Sequence, residues 1–364
     1  MAQQLQSAVL EKFIVGFEGT TLPAELKALL EQGLCGVAIF PRNFSTAEGL
    51  RALTDEIRFA AGPSVVIAID QEGGRRFALP EPFTQWPSAA EFGILDDAAA
   101  VTEMAYCMAQ ELRAVGCNLD FAPMLDLHLQ AASPVTSDRS FGSLPDPVAR
   151  LGEAFIRGLI ADRVLACAKH FPGHGDAQID PHLDLPVFGG NQERLEKMEL
   201  VPFVRAIAAQ VPMIMTAHIL LPKIDAAHPA SLSKKVLHWL LRERLGFRGV
   251  ILADDLGMGA ISKQFSQGEA AVKTFQAGTD VALLCHDWAA VRPAIDAIER
   301  ALRLGQLDPA EWAKSHERIA ELQASVVQAG LNAPPLTTVG CAEHRALALE
   351  LRERIKKLPR IQNA

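Results

Sequence analysis

The stretch "LACAKHFPGHGDAQIDPH", residues 165–182, decides the fold, because it shows a complete unit of a pattern that the chain repeats. Its first seven residues form an apolar run that ends in Lys169 and His170, and Pro172 and Gly173 then begin a loop. Near-continuous apolar runs are typical of parallel strands that are covered on both faces. Polar residues at the end of such a run indicate a site at the carboxyl edge of a parallel sheet.

The same kind of apolar run occurs eight times, and amphipathic helix-like segments separate the runs. The predicted strands cover residues 13–19, 36–42, 65–72, 118–125, 165–171, 213–219, 249–256 and 280–286. Several helical segments close with Gly directly before the next strand, which is a helix C-cap signal. Eight such units predict an α/β fold, a single (β/α)8 TIM-type barrel. The alternative is a doubly wound open sheet, but no GxGxxG motif follows the first strand.

Two more helices are predicted after the barrel, over residues 309–330 and 341–358, and the linker "NAPPLTTVG" joins them. A length of 364 residues suits one barrel with an extension. We therefore assign residues 1–305 to a catalytic barrel and residues 306–364 to a C-terminal helical extension that packs on it.

Composition and charge exclude several classes of protein. The chain is 49% hydrophobic and 21% charged, as expected of a soluble protein with a large core, and its net charge of −8 argues against a general nucleic-acid binder. The six cysteines form no CxxC pair, which excludes zinc ribbons and thioredoxin-like sites. No signal-peptide pattern or run of 18 apolar residues occurs, so we expect a cytoplasmic protein without a membrane span.

Polar side chains cluster at five of the predicted strand ends. They are Asp70 with Glu72, Asp126, Lys169 with His170, His218, and Asp254 with Asp255. A strand-end Asp often caps the helix that follows it, so each residue alone has a structural explanation. Barrel enzymes, however, build their sites at the carboxyl ends of the strands, and so many polar ends together favour a site there.

The loop after residue 171 offers three kinds of chemistry. His170 and His174 could bind a metal, but their spacing around Pro172 and Gly173 is not helical i, i+4 spacing, and we expect a structural role for His174. An anion-binding nest is the second possibility, although the GK[ST] ending of a P-loop is lacking. The pair Asp180 and His182 suits general acid–base catalysis, because the carboxylate can orient the imidazole and raise its basicity.

Other motifs supply carboxylates and guanidinium groups. In "GVILADDLGMGA" one of Asp254 and Asp255 can face the barrel mouth as a candidate nucleophile or base while the other braces neighbouring backbone, because adjacent strand residues point to opposite sides. In "AIDQEGGRRF" and "SDRSFG", Asp70, Arg76 and Arg139 could hydrogen-bond a polyhydroxylated ligand.

With these motifs the chain resembles glycoside hydrolase family 3, and within it the single-domain bacterial β-N-acetylhexosaminidases. The matching runs are "GVAIFPRN", "AIDQEGGR", "NLDFAPMLDL", "DRSFG", "KHFPGHGDAQIDPHLDLP", "MTAHILLP", "PASLS", "LGFRGVILADDLGM" and "AGTDVALLC". The resemblance implies a retaining hydrolase of terminal β-linked N-acetylglucosamine, active on muropeptide fragments in cytoplasmic cell-wall recycling. It implies a monomer that needs no cofactor or metal.

The resemblance also implies roles for individual residues. Asp254 would be the nucleophile, His182 the acid/base and Asp180 its orienting partner. The sugar-binding positions of the family are matched by Asp70, Arg139, Lys169 and His170.

The chain departs from the family pattern at two positions. The family usually has DQEGG-R-x-x-R, in which the second Arg contacts the sugar. Here Ala78 occupies the position of that second Arg. Either Arg76 takes over the sugar contact, or the contact is missing. Pro181 stands where the family usually has Ser, and its fixed φ stiffens the loop.

Four other functions stay open from the sequence. They are a phosphorylase of the same family, a β-glucosidase, a metal-dependent barrel hydrolase that uses His170, His174 and His218, and a non-catalytic sugar-binding barrel.

Overall fold

The structure is a computed structural model that describes residues 2–130, 133, 135–177 and 179–358. The strands in chain order are β1 Phe13–Val15, β2 Gly36–Ile39, β3 Val66–Ile69, β4 Leu119–Asp120, β5 Leu165–Phe171, β6 Met213–Thr216, β7 Leu220–Leu221, β8 Asp225–Pro229, β9 Val250–Ala253 and β10 Val281–Leu284. Eight of them form a closed barrel in the order β1-β10-β9-β6-β5-β4-β3-β2, and the neighbours are parallel. This confirms the predicted (β/α)8 architecture.

The observed strands begin close to their predicted starts, but most end earlier. The run predicted over 65–72, for example, pairs only over Val66–Ile69. The residues after each strand end belong to loops at the barrel mouth, because their backbones leave the ladder there. The sequence did not predict the small antiparallel hairpin of β7 and β8, which follows β6 directly.

The helices surround the barrel and follow its strands. They are α1 Ala2–Leu10, α2 Ala24–Glu31, α3 Ala47–Ala61, α4 Ala89–Leu95, α5 Ala98–Ala114, α6 Pro145–Ala161, α7 Gln192–Lys197, α8 Leu200–Ala208, a π-type helix Lys235–Arg244, α9 Gly259–Ser262, α10 Gln267–Ala277, α11 Val291–Arg303, α12 Pro309–Gly330 and α13 Ala342–Lys356. Local sequence explains many of their ends. In α10, Ser266 and Glu269 form a reciprocal capping box at the start, and Gly278 ends the helix in the left-handed conformation that glycine adopts readily.

The helix α12 closes the amino-terminal end of the barrel. Its buried residues Ile319, Leu322 and Val326 pack in one cluster with the side chains that fill the barrel interior. Arg318 pairs with Asp280, which directly precedes β10, at 2.7 Å. Because α12 covers this end, the interior formed by the described residues opens at the carboxyl ends of the strands.

The helix α13 packs on the outside of the barrel, against α4 and α5. His344 Nδ1 lies 2.8 Å from Glu111 Oε1, and Arg354 pairs with Asp97 at 2.5 Å. The helices predicted over 309–330 and 341–358 therefore exist as α12 and α13. In the part of the chain that the structure describes, no helix is both long enough and apolar enough to cross a bilayer.

Candidate active site

A cavity of about 230 Å³ lies at the carboxyl ends of the barrel strands. All eight site residues predicted from the sequence contribute to its lining, namely Asp70, Arg76, Arg139, Lys169, His170, Asp180, His182 and Asp254. They lie on β5 itself and in the loops after four barrel strands, β3, β4, β5 and β9, so barrel closure brings them together. The individual roles of these residues stay predictions.

One wall of the cavity is a network of four charged side chains. Lys169 Nζ lies 2.5 Å from Asp70 Oδ1 and 2.7 Å from Glu72 Oε1. Arg139 donates two hydrogen bonds of 2.8 Å to Glu72. Burial opposes ionisation of Glu72, but the charges of Arg139 and Lys169 outweigh it and lower its pKa to about 2. Glu72 therefore stays charged at neutral pH, and its contacts hold Arg139 and Lys169 in fixed positions.

Both Lys169 and His170 face the cavity, although adjacent residues of a regular strand point to opposite sides. The ladder between β5 and β6 is irregular between Ala168 and Phe171. Such an irregularity redirects side chains next to many active sites. The irregularity explains how both residues, which the resemblance matches to sugar-binding positions, reach the mouth.

Beneath His170 lies the fully buried carboxylate of Asp126. Its Oδ2 lies 2.7 Å from His170 Nδ1, and its Oδ1 accepts a hydrogen bond of 2.8 Å from the backbone N–H of His174. Burial lowers the pKa of His170, although Asp126 acts in the opposite direction. In the neutral ring, Nδ1–H donates to Asp126 and Nε2 is left as an acceptor toward the cavity.

Asp254 follows β9 and extends its carboxylate into the cavity. Its Oδ1 accepts a hydrogen bond of 2.8 Å from the backbone N–H of Asp255. Burial opposes ionisation, but His218 and His170 outweigh it and the pKa of Asp254 is lowered. The carboxylate is therefore ionised at neutral pH, as a nucleophile requires.

Of the two adjacent aspartates, Asp255 is the one that braces neighbouring backbone. Its Oδ1 accepts from the backbone N–H groups of Gly257 at 3.0 Å and Cys285 at 3.2 Å, and its Oδ2 lies 2.5 Å from His286 Nδ1. These contacts join the loop after β9 to the loop after β10. Asp254 is thereby held on a rigid segment.

The acid–base pair predicted from the sequence lies at the cavity mouth. His182 Nδ1 is 2.8 Å from Asp180 Oδ1, which also accepts from the backbone N–H of His182 at 2.9 Å. The His182 side chain is 63% exposed, whereas that of Asp180 is 22% exposed. Burial opposes ionisation of Asp180, but the two N–H groups of His182 outweigh it and lower its pKa, and the charge of Arg76 acts in the same direction.

The backbone of this loop is fastened to the start of α9, shortly after Asp254 in the chain. Gly259 donates its N–H to the carbonyl oxygen of His182 at 3.2 Å, and Ala260 donates to that of Pro181 at 3.0 Å. The segment that carries the proposed nucleophile thus positions the segment that carries the proposed acid/base.

The three histidines proposed for a metal-dependent hydrolase do not form one group in the described chain. Both ring nitrogens of His218 have other hydrogen-bond partners. Its Nδ1 lies 2.7 Å from Ser231 Oγ, and its Nε2 lies 3.0 Å from the carbonyl oxygen of Asp255. His170 and His174 instead group with Asp126. The predicted set was therefore wrong in its third member, because the sequence does not tell which strand-end side chain turns inward.

Sequence reasoning missed much of the cavity wall. The lining also includes His286 and the hydrophobic residues Phe40, Phe77, Phe121, Val135, Met215, Met258 and Leu283. His286 could have been found, since it ends the last predicted strand as Lys169 and His170 end theirs. The apolar lining residues could not have been found, because in the sequence they are indistinguishable from apolar residues of the core.

Comparisons with known proteins agree with this architecture. The sequence profile of the family described as the glycosyl hydrolase family 3 N-terminal domain matches residues 5–322. A β-hexosaminidase of Alkalilimnicola ehrlichii is 39% identical over 294 residues, which cover 79% of this chain and 84% of that protein. A β-hexosaminidase of Nitrosospira multiformis is 36% identical over 321 residues, covering 84% and 91%.

A solved structure shows the same fold. The glycoside hydrolase family 3 β-N-acetylglucosaminidase from Paenibacillus sp. str. FPU-7 superposes with a TM-score of 0.91 at 35% identity, covering 96% of this chain and 68% of that one. With a family match over most of the chain and relatives above 30% identity, the resemblance seen in the sequence is confirmed. The chain belongs to glycosyl hydrolase family 3, and it is a glycoside hydrolase of the β-hexosaminidase kind.

Proposed function

We propose that this enzyme removes terminal β-linked N-acetylglucosamine from peptidoglycan fragments, with retention of configuration and through a covalent glycosyl-enzyme. The observation that carries the proposal is the pairing of two groups across one cavity. An ionised carboxylate, Asp254, lies on a braced loop, and an imidazole, His182, lies at the mouth with a carboxylate on its other nitrogen. Retaining glycosidases need such a nucleophile and such a proton carrier on either side of the glycosidic bond.

In the first step Asp254 attacks the anomeric carbon and the glycosidic bond breaks. His182 gives its Nε2 proton to the departing oxygen, while Asp180 stabilises the charged ring through Nδ1. In the second step His182 takes a proton from a water molecule, and the oxygen of that water displaces Asp254. The enzyme then returns to its starting protonation state.

A histidine in place of the usual second carboxyl group suits an anionic substrate. N-Acetylmuramic acid carries its own carboxylate, and a second acidic side chain at the mouth would repel it. The imidazole avoids this repulsion, and the guanidinium group of Arg76 in the same lining adds attraction. This reasoning favours a muropeptide fragment over an uncharged glucoside.

The sugar hydroxyls would be held by the charged wall. Asp70 supplies acceptors, Lys169 and Arg139 supply donors, and His170 offers Nε2 from the cavity floor. Arg76 replaces the guanidinium group that the family usually places where Ala78 stands. Because ion pairs already fix these side chains, they lose little conformational entropy when a sugar binds, and this favours recognition of one sugar.

We further propose that the catalytic unit spans residues 1–305, that the extension 306–364 packs on it, and that the enzyme acts as a cytoplasmic monomer. The cysteines support the compartment, since all six are free thiols, as expected in a reducing environment.

A panel of nitrophenyl glycosides, assayed with and without phosphate, tests the proposal. The N-acetylglucosaminide should be cleaved far faster than the glucoside, and added phosphate should not change the product. Faster cleavage of the glucoside would point to a β-glucosidase, and formation of a sugar 1-phosphate would point to a phosphorylase. A purified muropeptide disaccharide should then be a better substrate than an uncharged disaccharide with the same linkage.

A further inference from the structure

The ring of His174 lies in the cavity floor without a hydrogen bond. The residue is 3% exposed, and neither ring nitrogen has a hydrogen-bond partner among the described residues. Its Nδ1 lies 3.3 Å from Asp126 Oδ2, but the alignment is too poor for a hydrogen bond. A buried polar group without a partner typically costs about 1–3 kcal/mol, so an orphaned imidazole in a site suggests a ligand.

The neighbours of His174 supply two more ligand atoms of the kind that transition metals prefer. Asp126 Oδ2 lies 2.7 Å from His170 Nδ1, and the rings of His170 and His174 meet edge to face with centroids 4.9 Å apart. One carboxylate oxygen and two imidazole nitrogens lie within 4.8 Å of one another, and all three residues are buried.

The distances suit a small divalent ion. Tetrahedral zinc has bonds of about 2.0–2.1 Å to nitrogen and oxygen, which places two of its ligands about 3.3 Å apart. The separation of His174 Nδ1 from Asp126 Oδ2 already has this value. The separation of His170 Nδ1 from Asp126 Oδ2 is shorter, because a proton now lies between them, and it would lengthen when that proton leaves.

We propose that Asp126, His170 and His174 form a binding site for a divalent transition-metal ion such as Zn²⁺. As the ion binds, the proton leaves His170 Nδ1 for solvent and Nε2 takes up another, so that the ring stays neutral and Nδ1 can bind the metal. The three side chains then occupy three positions of a tetrahedron, and a water molecule on the cavity side completes it.

The ion would inhibit the enzyme and take no part in the chemistry. It occupies the floor beneath the sugar, and with Nδ1 on the ion His170 carries its proton on Nε2, which can then no longer accept a hydrogen bond from the sugar. This consequence rests on the proposed sugar-binding role of His170, whereas binding of the ion does not.

Calorimetry separates the two statements. Chelator-treated full-length protein is titrated with ZnCl₂ in the absence of substrate, and one ion per chain is the expected result. His174→Gln should weaken binding by at least about tenfold. His228→Gln removes a 41% exposed histidine whose partner is Asp225, outside the cavity lining, and it should bind as the unaltered protein does. Absence of binding to the unaltered protein, or equal binding by His174→Gln, would overturn the site.

A second experiment is needed if His174→Gln does not fold. Crystals of the unaltered protein are soaked in ZnCl₂, and anomalous diffraction at the zinc edge locates the ion. A peak between the three side chains supports the site, and a peak at Asp180 and His182 or at Asp255 and His286 contradicts it. In kinetic assays Zn²⁺ should raise KM without lowering kcat. Unchanged KM with the ion bound at the site would count against the role of His170 and leave the metal site standing.

Discussion

Gly259 touches the backbone of the loop that carries His182, and its N–H donates to the carbonyl oxygen of His182 at 3.2 Å. A Cβ atom at position 259 would lie 2.6 Å from that oxygen and 2.8 Å from the carbonyl oxygen of Leu183. Only glycine permits this approach. The contact links the proposed acid/base to the segment of the proposed nucleophile, because Asp254 lies five residues before Gly259.

Gly259→Ala should therefore displace His182 and slow the hydrolysis of substrates whose leaving groups need a proton donor. A misplacement of about 1 Å can cost on the order of 10²-fold in rate, and we expect this loss in kcat with substrates of poor leaving groups. The measurement is the dependence of kcat on leaving-group pKa. Gly189→Ala is the control, since a Cβ there has no neighbour within 4 Å. Equal rates for the two variants would show that the contact does not position the histidine.

Asp254 should be the residue that carries the sugar. Both Asp254 and Asp255 line the cavity, but the carboxylate of Asp255 is occupied by two backbone N–H groups and His286. A 2-fluoro sugar inactivator should label Asp254, as mass spectrometry of the digested protein can show, and Asp254→Ala should abolish turnover. A label on Asp255 would reverse the assignment of the two carboxylates.

His182→Ala should affect substrates unequally. General acid catalysis contributes roughly 10²–10⁴-fold, and this contribution is needed mainly when the leaving group is basic. The variant should lose that factor on a natural disaccharide and far less on a nitrophenyl glycoside. Steady-state rates on the two substrates provide the measurement, and equal losses would argue against a proton donor.

Arg76→Ala tests whether Arg76 makes the sugar contact that the family usually makes with an arginine at the position of Ala78. Arg76 lines the cavity, while its exposed neighbour Arg75 is not among the described lining residues. A hydrogen bond from a charged donor is worth about 1.5–3 kcal/mol, so kcat/KM for the N-acetylglucosaminide should fall by roughly 10- to 100-fold. Arg75→Ala should behave like the unaltered enzyme. If both variants keep full activity, the sugar contact is missing in this enzyme.

The buried carboxylate of Glu72 predicts how stability depends on pH. Its pKa falls from 4.5 in the unfolded chain to about 2 in the folded one, so its stabilising contribution is complete above pH 4.5 and disappears as the pH drops toward 2. The contribution at neutral pH is on the order of 3 kcal/mol.

Glu72→Gln imitates the protonated side chain and provides the measurement. The unaltered protein should unfold at higher temperature at pH 7, and the difference in Tm should shrink steadily below pH 4.5. Glu193→Gln, which removes one half of an exposed pair with Lys197, should leave Tm unchanged at every pH. A difference that persists unchanged at pH 3 would contradict the low pKa.

Much of the site could be predicted because strand ends are local features of the sequence. An apolar run followed by Lys169 and His170, or by Asp254 and Asp255, shows where the strand ends and which side chains are available. The pairing of Asp180 with His182 is equally local, since only Pro181 separates them. These features need no knowledge of the rest of the chain.

Contacts between distant segments could not be predicted in this way. Glu72 and Arg139 lie 67 residues apart, and Asp126 reaches His170 from a separate strand end. The approach of Gly259 to His182 depends on two loops that follow different strands. Neither composition nor periodicity carries information about which of several inward-facing side chains will meet.

The sequence by itself determined the alternation of buried strands and amphipathic helices, and it placed the chemistry at the carboxyl ends of the strands, because hydrophobic burial and strand termination depend on short runs of residues. Only the tertiary structure decided which of those ends face one another. Closure of the barrel sets those distances, and with them the charges, hydrogen bonds and pKa values that the grouped residues acquire.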